Sequence, residues 1–329
     1  MNLSHRPMLP EDIPECVQLL TTDRVIGPRY REVARDLPEA LLRLLQSEAC
    51  TRPLIHADVG SGRLLCAMGV GVMVSDDFLG ELKTPPHFWA GPEMVRRIAR
   101  GETPFLTAKE IRERNSRSGL NLVCWDHLIR AGYVDRGELS RFCMAVFIEI
   151  HRGYRWQELI SSPASTPEHL DFVLGTGGYI WDPADGEYTS AFRKSASEMV
   201  ASPHVLGTTP EMEARRGVWS PSWVGTLFDY HPPKLRLSRS EQRILSFALP
   251  GATDEVLAEQ MDISLSAVKK VWISVYRRAE EFLPELVSNG QQLAIPASAR
   301  GREKRRSLLS YIREHPEELR PLSLGKPKA

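Results

Sequence analysis

The spacing of apolar residues in the first part of the chain predicts a mixture of helices and strands. Segments with helix-like apolar spacing are 10–20, 28–46, 94–100 and 107–114. Segments that alternate like strands are 53–59 and 63–74. The Gly60-Ser61-Gly62 turn between these strands predicts a hairpin, and Thr107 with Glu110 predicts a capping box at the start of the last helix.

The middle of the chain is harder to assign. Residues 142–150 (Phe-Cys-Met-Ala-Val-Phe-Ile-Glu-Ile) are rich in β-branched and aromatic side chains, which predicts a strand. We expect a helix at 156–160, a loop at 161–167, then a short helix and a glycine-rich turn at 175–178. Residues 183–225 are rich in Gly, Pro and Ser, and their pattern predicts no element.

After residue 237 the pattern becomes strongly helical. Ser238 and Glu241 form the Ser-x-x-Glu capping box of a first helix, which Pro250-Gly251 ends. Thr253 caps a second, short helix, and a third helix is predicted from about 267 to 281.

The third helix has two chemically distinct faces when it is projected at about 100° per residue. The inward stripe consists of Val268, Val271, Trp272, Val275 and Ala279. The outward face consists of Ser266, Lys270, Ile273 and Arg277, flanked by Lys269 and Ser274. This face has no carboxylate before Glu280, so it suits the negatively charged major groove of DNA. From these residues alone, a three-helix bundle with a merely solvated charged face is the alternative.

Residues 237–279 resemble the LuxR-type helix-turn-helix signature. The similar positions are Leu237-Ser-Arg-Ser-Glu241, Arg243-Ile-Leu245, Gly251, Glu255-Val-Leu-Ala258, Met261, Ile263-Ser264 and Val268-Lys269. Two positions depart from the family: Ala267 stands where Thr is usual, and Val271 where His is frequent.

The resemblance implies a transcription regulator that binds double-stranded DNA, as a homodimer on two half-sites. It implies that Lys269, Lys270 and Ile273 lie nearest the bases, with Ile273 suited to a thymine methyl group. Ser264, Ser266 and Arg277 would lie nearer the phosphates, and Ser274 is included among the DNA-binding residues. An acidic protein partner for the basic helix is a further alternative.

The chain continues with a basic run and an amphipathic helix. The run is Arg300-Gly-Arg-Glu-Lys-Arg-Arg306, and the helix extends to residue 319 with Leu308, Leu309 and Ile312 inward. Two interpretations stay open: Arg305 and Arg306 contact phosphates, or the helix docks on the preceding module.

Composition is that of a globular protein, but its charge is unevenly distributed. The 42 Lys+Arg balance 42 Asp+Glu, yet residues from 234 onward carry a net charge of +5 and the first 233 a net charge of −5. A basic C-terminal third favours a nucleic-acid partner. The absence of a long apolar stretch or secretory leader, and an odd cysteine count of 5, predict a cytoplasmic protein with free thiols and no membrane partner.

The N-terminal body weakly resembles GNAT-type acetyltransferases. The similar segments are Arg6-Pro-Met-Leu-Pro-Glu-Asp-Ile13, Arg152-Gly-Tyr-Arg-Trp-Gln-Glu-Leu159 and Leu174-Gly-Thr-Gly-Gly-Tyr179. The family binds the acetyl-CoA pyrophosphate on a loop patterned Gln/Arg-x-x-Gly-x-Gly/Ala. Aligned on Gly153, Ile150 replaces the first position and Arg155 the last glycine, so the resemblance implies a degenerate cofactor loop.

Other candidate chemistry in the body is sparse. Cys124 and His127 form a Cys/His pair that more often reflects packing than nucleophilic catalysis, and His151 is expected to be a satisfied core histidine. The glycine-rich 175–178 segment lacks the lysine of a phosphate-binding loop. No metal or cofactor motif is predicted.

These features together predict an α+β (mixed α/β) body followed by an all-α helix-turn-helix DNA-binding domain. The predicted boundaries are 1–228 for a sensor or scaffold domain, 229–236 for a Pro-rich linker, 237–288 for the helix-turn-helix domain, and 289–329 for the basic linker and final helix. The expected function is DNA binding controlled by a small-molecule or protein effector of the body. The alternative is an acetyl-CoA-dependent N-acyltransferase with an accessory DNA-binding domain.

Overall fold

Nine strands of the described residues join into one mixed sheet in the computed structural model. The structure describes residues 2–60, 62–84, 89–130, 136–164, 166–189, 195–200, 204–216, 222–288 and 297–321. The strands are β1 (Leu3–Pro7), β2 (Cys50–Thr51), β3 (Pro53–Val59), β4 (Gly62–Val74), β5 (Leu120–Ile129), β6 (Trp156–Ser161), β7 (Tyr179–Asp182), β8 (Glu187–Thr189) and β9 (Val205–Thr208). The body is therefore mixed α/β, as predicted.

The sheet contains one parallel pair among antiparallel neighbours. Its order is β1-β3-β4-β5-β6-β9-β7-β8, with β2 paired to β4. Strands β5 and β6 are parallel, which requires a crossover, and the helix between them supplies it. Their pairing ends at Cys124↔Ser161, whereas β5 continues to Ile129. The second half of β5 thus has no β6 partner.

Helices cover both faces of this sheet. They are α1 (Ile13–Thr22), α2 (Gly27–Tyr30), α3 (Leu37–Leu45), α4 (Asp76–Leu82), α5 (Ala90–Ala99), α6 (Ala108–Ser116), α7 (Arg136–His151), α8 (Pro167–Thr176), α9 (Ala196–Val200) and α10 (Pro210–Arg216). Leu54 and Met68 pack in the core that α1, α3 and α5 share. Their neighbours Ile55 and Ala67 point to the opposite face and pack with Cys143 of α7.

Elements with a strong local signal form where they were predicted. β3 and β4 form the expected hairpin, with Val59 opposite Gly62. The capping box at the start of α6 is present: the Glu110 side chain accepts the Thr107 N–H at 2.7 Å.

Two predictions in the middle of the chain are wrong. Residues 142–150 belong to helix α7, and residues 156–160 lie in strand β6. In α7, Leu139, Cys143 and Val146 are buried at helical spacing, so burial on one face outweighs the β propensity of the run. Residues 183–225, which had no predicted element, contain β8, α9, β9 and α10.

Contacts divide the chain into two units, residues 1–151 with 155–229 and residues 152–154 with 230–325. The helices of the second unit are α11 (Arg239–Ala248), α12 (Asp254–Met261), α13 (Leu265–Phe282), α14 (Pro284–Ser288) and α15 (Ala297–Glu314), followed by a 3₁₀ turn at Pro316–Leu319. No strand occurs among the residues of this unit that the structure describes. Its core is built mainly from α11, α13 and α15.

Candidate nucleic-acid interface and candidate ligand cavity

Side-chain caps and special turn residues set the ends of α11, α12 and α13. Glu241 completes the predicted capping box by accepting the Ser238 N–H at 2.6 Å. Thr253 caps α12, and Ser264 caps α13 by accepting the Ala267 N–H at 3.2 Å. Asp262 has the left-handed φ of 57° that ends α12. A turn of three residues, 262–264, therefore joins α12 to α13.

The outer face of α13 is defined by Ser266, Lys269, Lys270, Ile273 and Arg277, and all five are exposed. Ile273 is 67% exposed, more than any other large apolar side chain in the described part of the chain. On the opposite side, Val268, Trp272, Val275 and Ala279 are buried. The structure thus brings five of the seven predicted DNA-contacting residues together on one accessible surface.

The cations of this outer face form no close ion pairs, although Lys269 interacts electrostatically with Glu255 of α12. Within the described residues, neither Lys269 nor Lys270 nor Arg277 forms an ion pair within 4 Å. The first carboxylate of α13, Glu280, pairs with Lys304 at 3.2 Å. The exposed acids Glu255, Glu259 and Asp262 lie on α12 and the turn that follows it. The outer face of α13 is consequently a cationic strip with one apolar side chain in it.

The other two predicted residues have structural contacts. Ser274 is half-buried and donates a hydrogen bond to Glu241 at 2.7 Å. Ser264 is exposed at the N-terminus of α13, with its Oγ 2.9 Å from the Ser266 Oγ. A cap leaves the Ser264 hydroxyl accessible, whereas Ser274 is held between two helices.

A cavity of about 510 Å³ lies in the first unit between the sheet and helices α7 and α8. Its apolar lining includes Ile55, Ile129, Met144, Phe147, Leu159, Ile160, Phe172, Val173, Leu206 and Val224. Gly69 and Gly71 of β4 also line it. Because glycine has no side chain, these two positions help to leave the space open. A cavity of this size and character suits a small, largely apolar molecule.

Polar groups gather where β5 and α8 meet the cavity. His127, His169 and Asp126 all line it. The His127 side chain is exposed to the cavity, but the protein atoms around it reduce its solvation and lower its pKa to about 4, with repulsion from His169 as the second cause. Loss of solvation also lowers the pKa of His169. Both imidazoles are therefore neutral near pH 7.

Asp126 belongs to a buried polar cluster at the same end of the cavity. It accepts a hydrogen bond from Tyr30 and lies 4.0 Å from Arg29. Burial raises the pKa of Asp126 to about 6, against the opposing effects of the Tyr30 hydrogen bond and the Arg29 charge. Sequence reasoning missed Asp126, Tyr30 and Arg29, because no local pattern connects β5 to α2.

The predicted Cys/His pair has no activated thiol. Cys124 and His127 both line the cavity, but burial raises the pKa of Cys124 to about 12. A thiol with that pKa is a poor nucleophile at neutral pH. His151 is buried, and its ring nitrogens lie 2.8 Å from Thr51 Oγ1 and 2.8 Å from the Phe147 carbonyl. His151 is therefore a satisfied core histidine, as predicted.

The strand expected before the degenerate cofactor loop is a helix. Ile150 lies in the last turn of α7, and Gly153 and Arg155 lie between this helix and strand β6. A chain that leaves a helix and enters a strand offers no helix N-terminus to a phosphate. Among the described residues, no group of three or more His, Cys, Asp or Glu side chains is arranged to hold a metal ion.

Compared with protein-family models, with curated proteins and with solved structures, the chain matches none. No helix in the described segments is long and apolar enough to span a bilayer.

Proposed function

We propose that this protein is a DNA-binding transcription regulator that reads the major groove with the outer face of α13. The observation that carries the proposal is this exposed strip of Lys269, Lys270 and Arg277, which is free of carboxylates and presents Ile273 at its centre. Lys and Arg attract phosphates, and a helix fits the major groove.

The short α12 and the tight turn before α13 support the same proposal. In a helix-turn-helix, the first helix crosses the DNA backbone while the second enters the groove. α12 and α13 have the required order, and their caps fix where each begins. Ser264 and Ser266 would then stand near phosphates at the start of α13.

The cavity of the first unit supports a sensing role for the body. Its apolar lining and neutral His127 and His169 would accept an uncharged or weakly polar effector. We propose that such a molecule controls DNA binding. A homodimer on two half-sites remains part of the proposal, since single modules of this size bury little DNA surface.

The test is a double variant, Lys270→Ala with Arg277→Ala, in the full chain. Binding to a labelled 30-base-pair duplex of random sequence should fall about tenfold, and the slope of log K against log[salt] should fall by about 2 for each chain bound. A matched control, Arg31→Ala with Arg35→Ala, removes two exposed charges from the first unit. The proposal fails if the two double variants bind the duplex equally well.

One observation favours a second function for the body, acyl transfer from acetyl-CoA. Beyond Cys124, strand β5 is no longer paired with β6. On its other side β5 stays paired with β4, where the Arg130 N–H donates to the Cys66 carbonyl. By the alternation of an antiparallel pair, the main-chain groups of His127 and Ile129 point away from β4, toward the missing partner. The amides of the pantetheine arm of acetyl-CoA would find donors and acceptors there.

Calorimetry with acetyl-CoA tests this second function. Binding at micromolar to millimolar cofactor should be seen in the wild type and lost in Gly69→Val, which places a side chain in the cavity. The absence of heat at millimolar acetyl-CoA would exclude acyl transfer and leave the DNA-binding proposal unaffected.

A further inference from the structure

Helix α15 uses its apolar stripe within the second unit. Leu308, Leu309 and Ile312 are buried in the same core as Ile244 of α11 and Trp272 of α13. The amphipathic pattern is thus accounted for by packing inside this unit.

Arg305 of α15 connects the helices on which the proposed DNA-binding surface depends. Its Nη1 donates to Asp254 Oδ1 at 2.7 Å and its Nη2 to the Ala252 carbonyl at 3.0 Å. The guanidinium lies 4.4 Å from the centre of the Trp272 ring. Trp272 Nε1 donates to the same Asp254 oxygen at 3.2 Å. The carboxylate of Asp254, the first residue of α12, therefore connects this helix both to the middle of α13 and to α15.

Two further contacts fix α15 along its length. Lys304 pairs with Glu280 of α13 at 3.2 Å, and Arg313 donates to the Leu249 carbonyl, just after α11, at 2.8 Å. Arg306, in contrast, is exposed. Adjacent arginines of the same basic run thus have different environments.

We infer that Arg305 is a positioning residue for DNA binding, acting on α12 and α13 through Asp254 and Trp272 and not through a phosphate. The inference rests on the proposed DNA-binding function. The Arg305 guanidinium already contacts two hydrogen-bond acceptors and the face of the Trp272 ring, so a phosphate contact would require these interactions to break. The angle between α12 and α13 decides whether the outer face of α13 fits the groove.

Four variants of the full chain test the inference: Arg305→Ala, Arg305→Lys, Asp254→Ala and the Arg305→Ala/Asp254→Ala double variant. Arg306→Ala is the matched control, because it removes the same charge one residue away. Binding to the random 30-base-pair duplex is measured at several salt concentrations, and the melting temperature of the second unit is measured by calorimetry.

Arg305→Ala should weaken DNA binding at least about fivefold with an unchanged salt slope, and lower the melting temperature by about 4 °C. Lys cannot make the forked contact, so Arg305→Lys should resemble Arg305→Ala. The double variant should melt close to the single ones, since each removes the same interaction. Arg306→Ala should leave the melting temperature unchanged.

A phosphate contact predicts the opposite pattern and would overturn the inference. The salt slope would fall by about 1 for each chain bound in Arg305→Ala, Arg305→Lys would restore binding, and the melting temperature would not change. Additive melting shifts in Arg305→Ala and Asp254→Ala would also overturn it. If the wild type fails to bind the duplex, the proposed function fails, whereas coupled melting shifts would still show that Arg305 and Asp254 interact.

Discussion

Ser274 donates a 2.7 Å hydrogen bond to Glu241, which ties the middle of α13 to the first turn of α11. Glu241 is only 3% exposed and also accepts from the Ser238 N–H and from Arg278. Burial alone would raise the pKa of Glu241, but the hydrogen bonds from Ser274, Ser238 and Arg278 outweigh it and lower the pKa. Ser274 is therefore better explained by helix packing than by a phosphate contact.

The Ser274→Ala variant should be less stable without a change in phosphate contacts. Removing a hydrogen bond to a buried carboxylate should reduce the free energy of unfolding by about 1.5 to 3 kcal/mol. The salt slope of DNA binding should stay at the wild-type value, in contrast to Lys270→Ala. Urea unfolding and salt-dependent gel shifts measure the two effects. A lower salt slope with unchanged stability would contradict this prediction and indicate that Ser274 contacts a DNA phosphate.

Helices α11, α12 and α13 could be predicted from sequence because their signals are local. Ser238 with Glu241, Thr253 and Gly251 each mark a helix end within a few residues of the chain. The predictions for 142–150 (a strand) and 156–160 (a helix) are wrong for the opposite reason, because the structure of these segments depends on distant contacts. The side chains of α7 are β-favouring, and only packing of Leu139 and Cys143 on the sheet makes this segment helical.

The cavity could not be predicted, because its lining comes from elements far apart in sequence. Thr51, Gly69, His127, Phe147 and His169 lie on different strands and helices. One signal was present: glycines at 69 and 71, inside an apolar strand, indicate that another group approaches the sheet closely.

The two strand glycines beside the cavity should respond differently to substitution. A Cβ at Gly71 would lie 2.5 Å from Thr51 Oγ1 and 3.1 Å from His151 Nε2, two atoms that bond to each other. A Cβ at Gly69 would have Pro53 Cγ as its nearest neighbour, at 3.7 Å. Gly71→Ala should destabilise the first unit by about 1 to 3 kcal/mol. Gly69→Ala should be neutral or stabilise it by up to about 1 kcal/mol.

Chemical unfolding of both glycine variants, followed by circular dichroism, measures this difference. Equal stability of Gly69→Ala and Gly71→Ala would contradict the close packing of Thr51 and His151 against β4.

The stability of the first unit should depend on the protonation of His127. Its folded-state pKa of about 4 lies below the ordinary value of 6.5, so the unfolded state binds the proton more readily. His127 therefore contributes stability above pH 6.5 that is lost as the pH falls toward 4. His127→Asn removes this loss, so the unfolding free energy of the variant should fall less than that of the wild type as the pH is lowered from 6.5 to 4.

Asp126 has the opposite effect on the pH dependence of stability, so its contribution has to be separated from that of His127. Its raised pKa of about 6 means that the folded state holds the proton more tightly. Its contribution is largest below pH 4 and is lost as the pH rises to about 6. The comparison is therefore wild type against His127→Asn at each pH, with Asp126 present in both. Parallel stability curves for the two proteins would contradict the lowered pKa of His127.

The cysteines should be nearly inert toward thiol reagents in the folded protein. All 5 are free, and burial raises the pKa of Cys50, Cys124 and Cys143 to about 12. At pH 7.5 fewer than about one in ten thousand of these thiols would be ionised, and the thiolate is the reacting species.

Titration with an aromatic disulfide should release little chromophore from the native chain and five equivalents after denaturation. A thiol that reacts at the rate of free cysteine before unfolding would show that its site is open, and mass spectrometry of the labelled peptide would identify it. If that thiol were Cys124, the cavity would present a reactive sulfur beside His127, and nucleophilic chemistry there would have to be reconsidered.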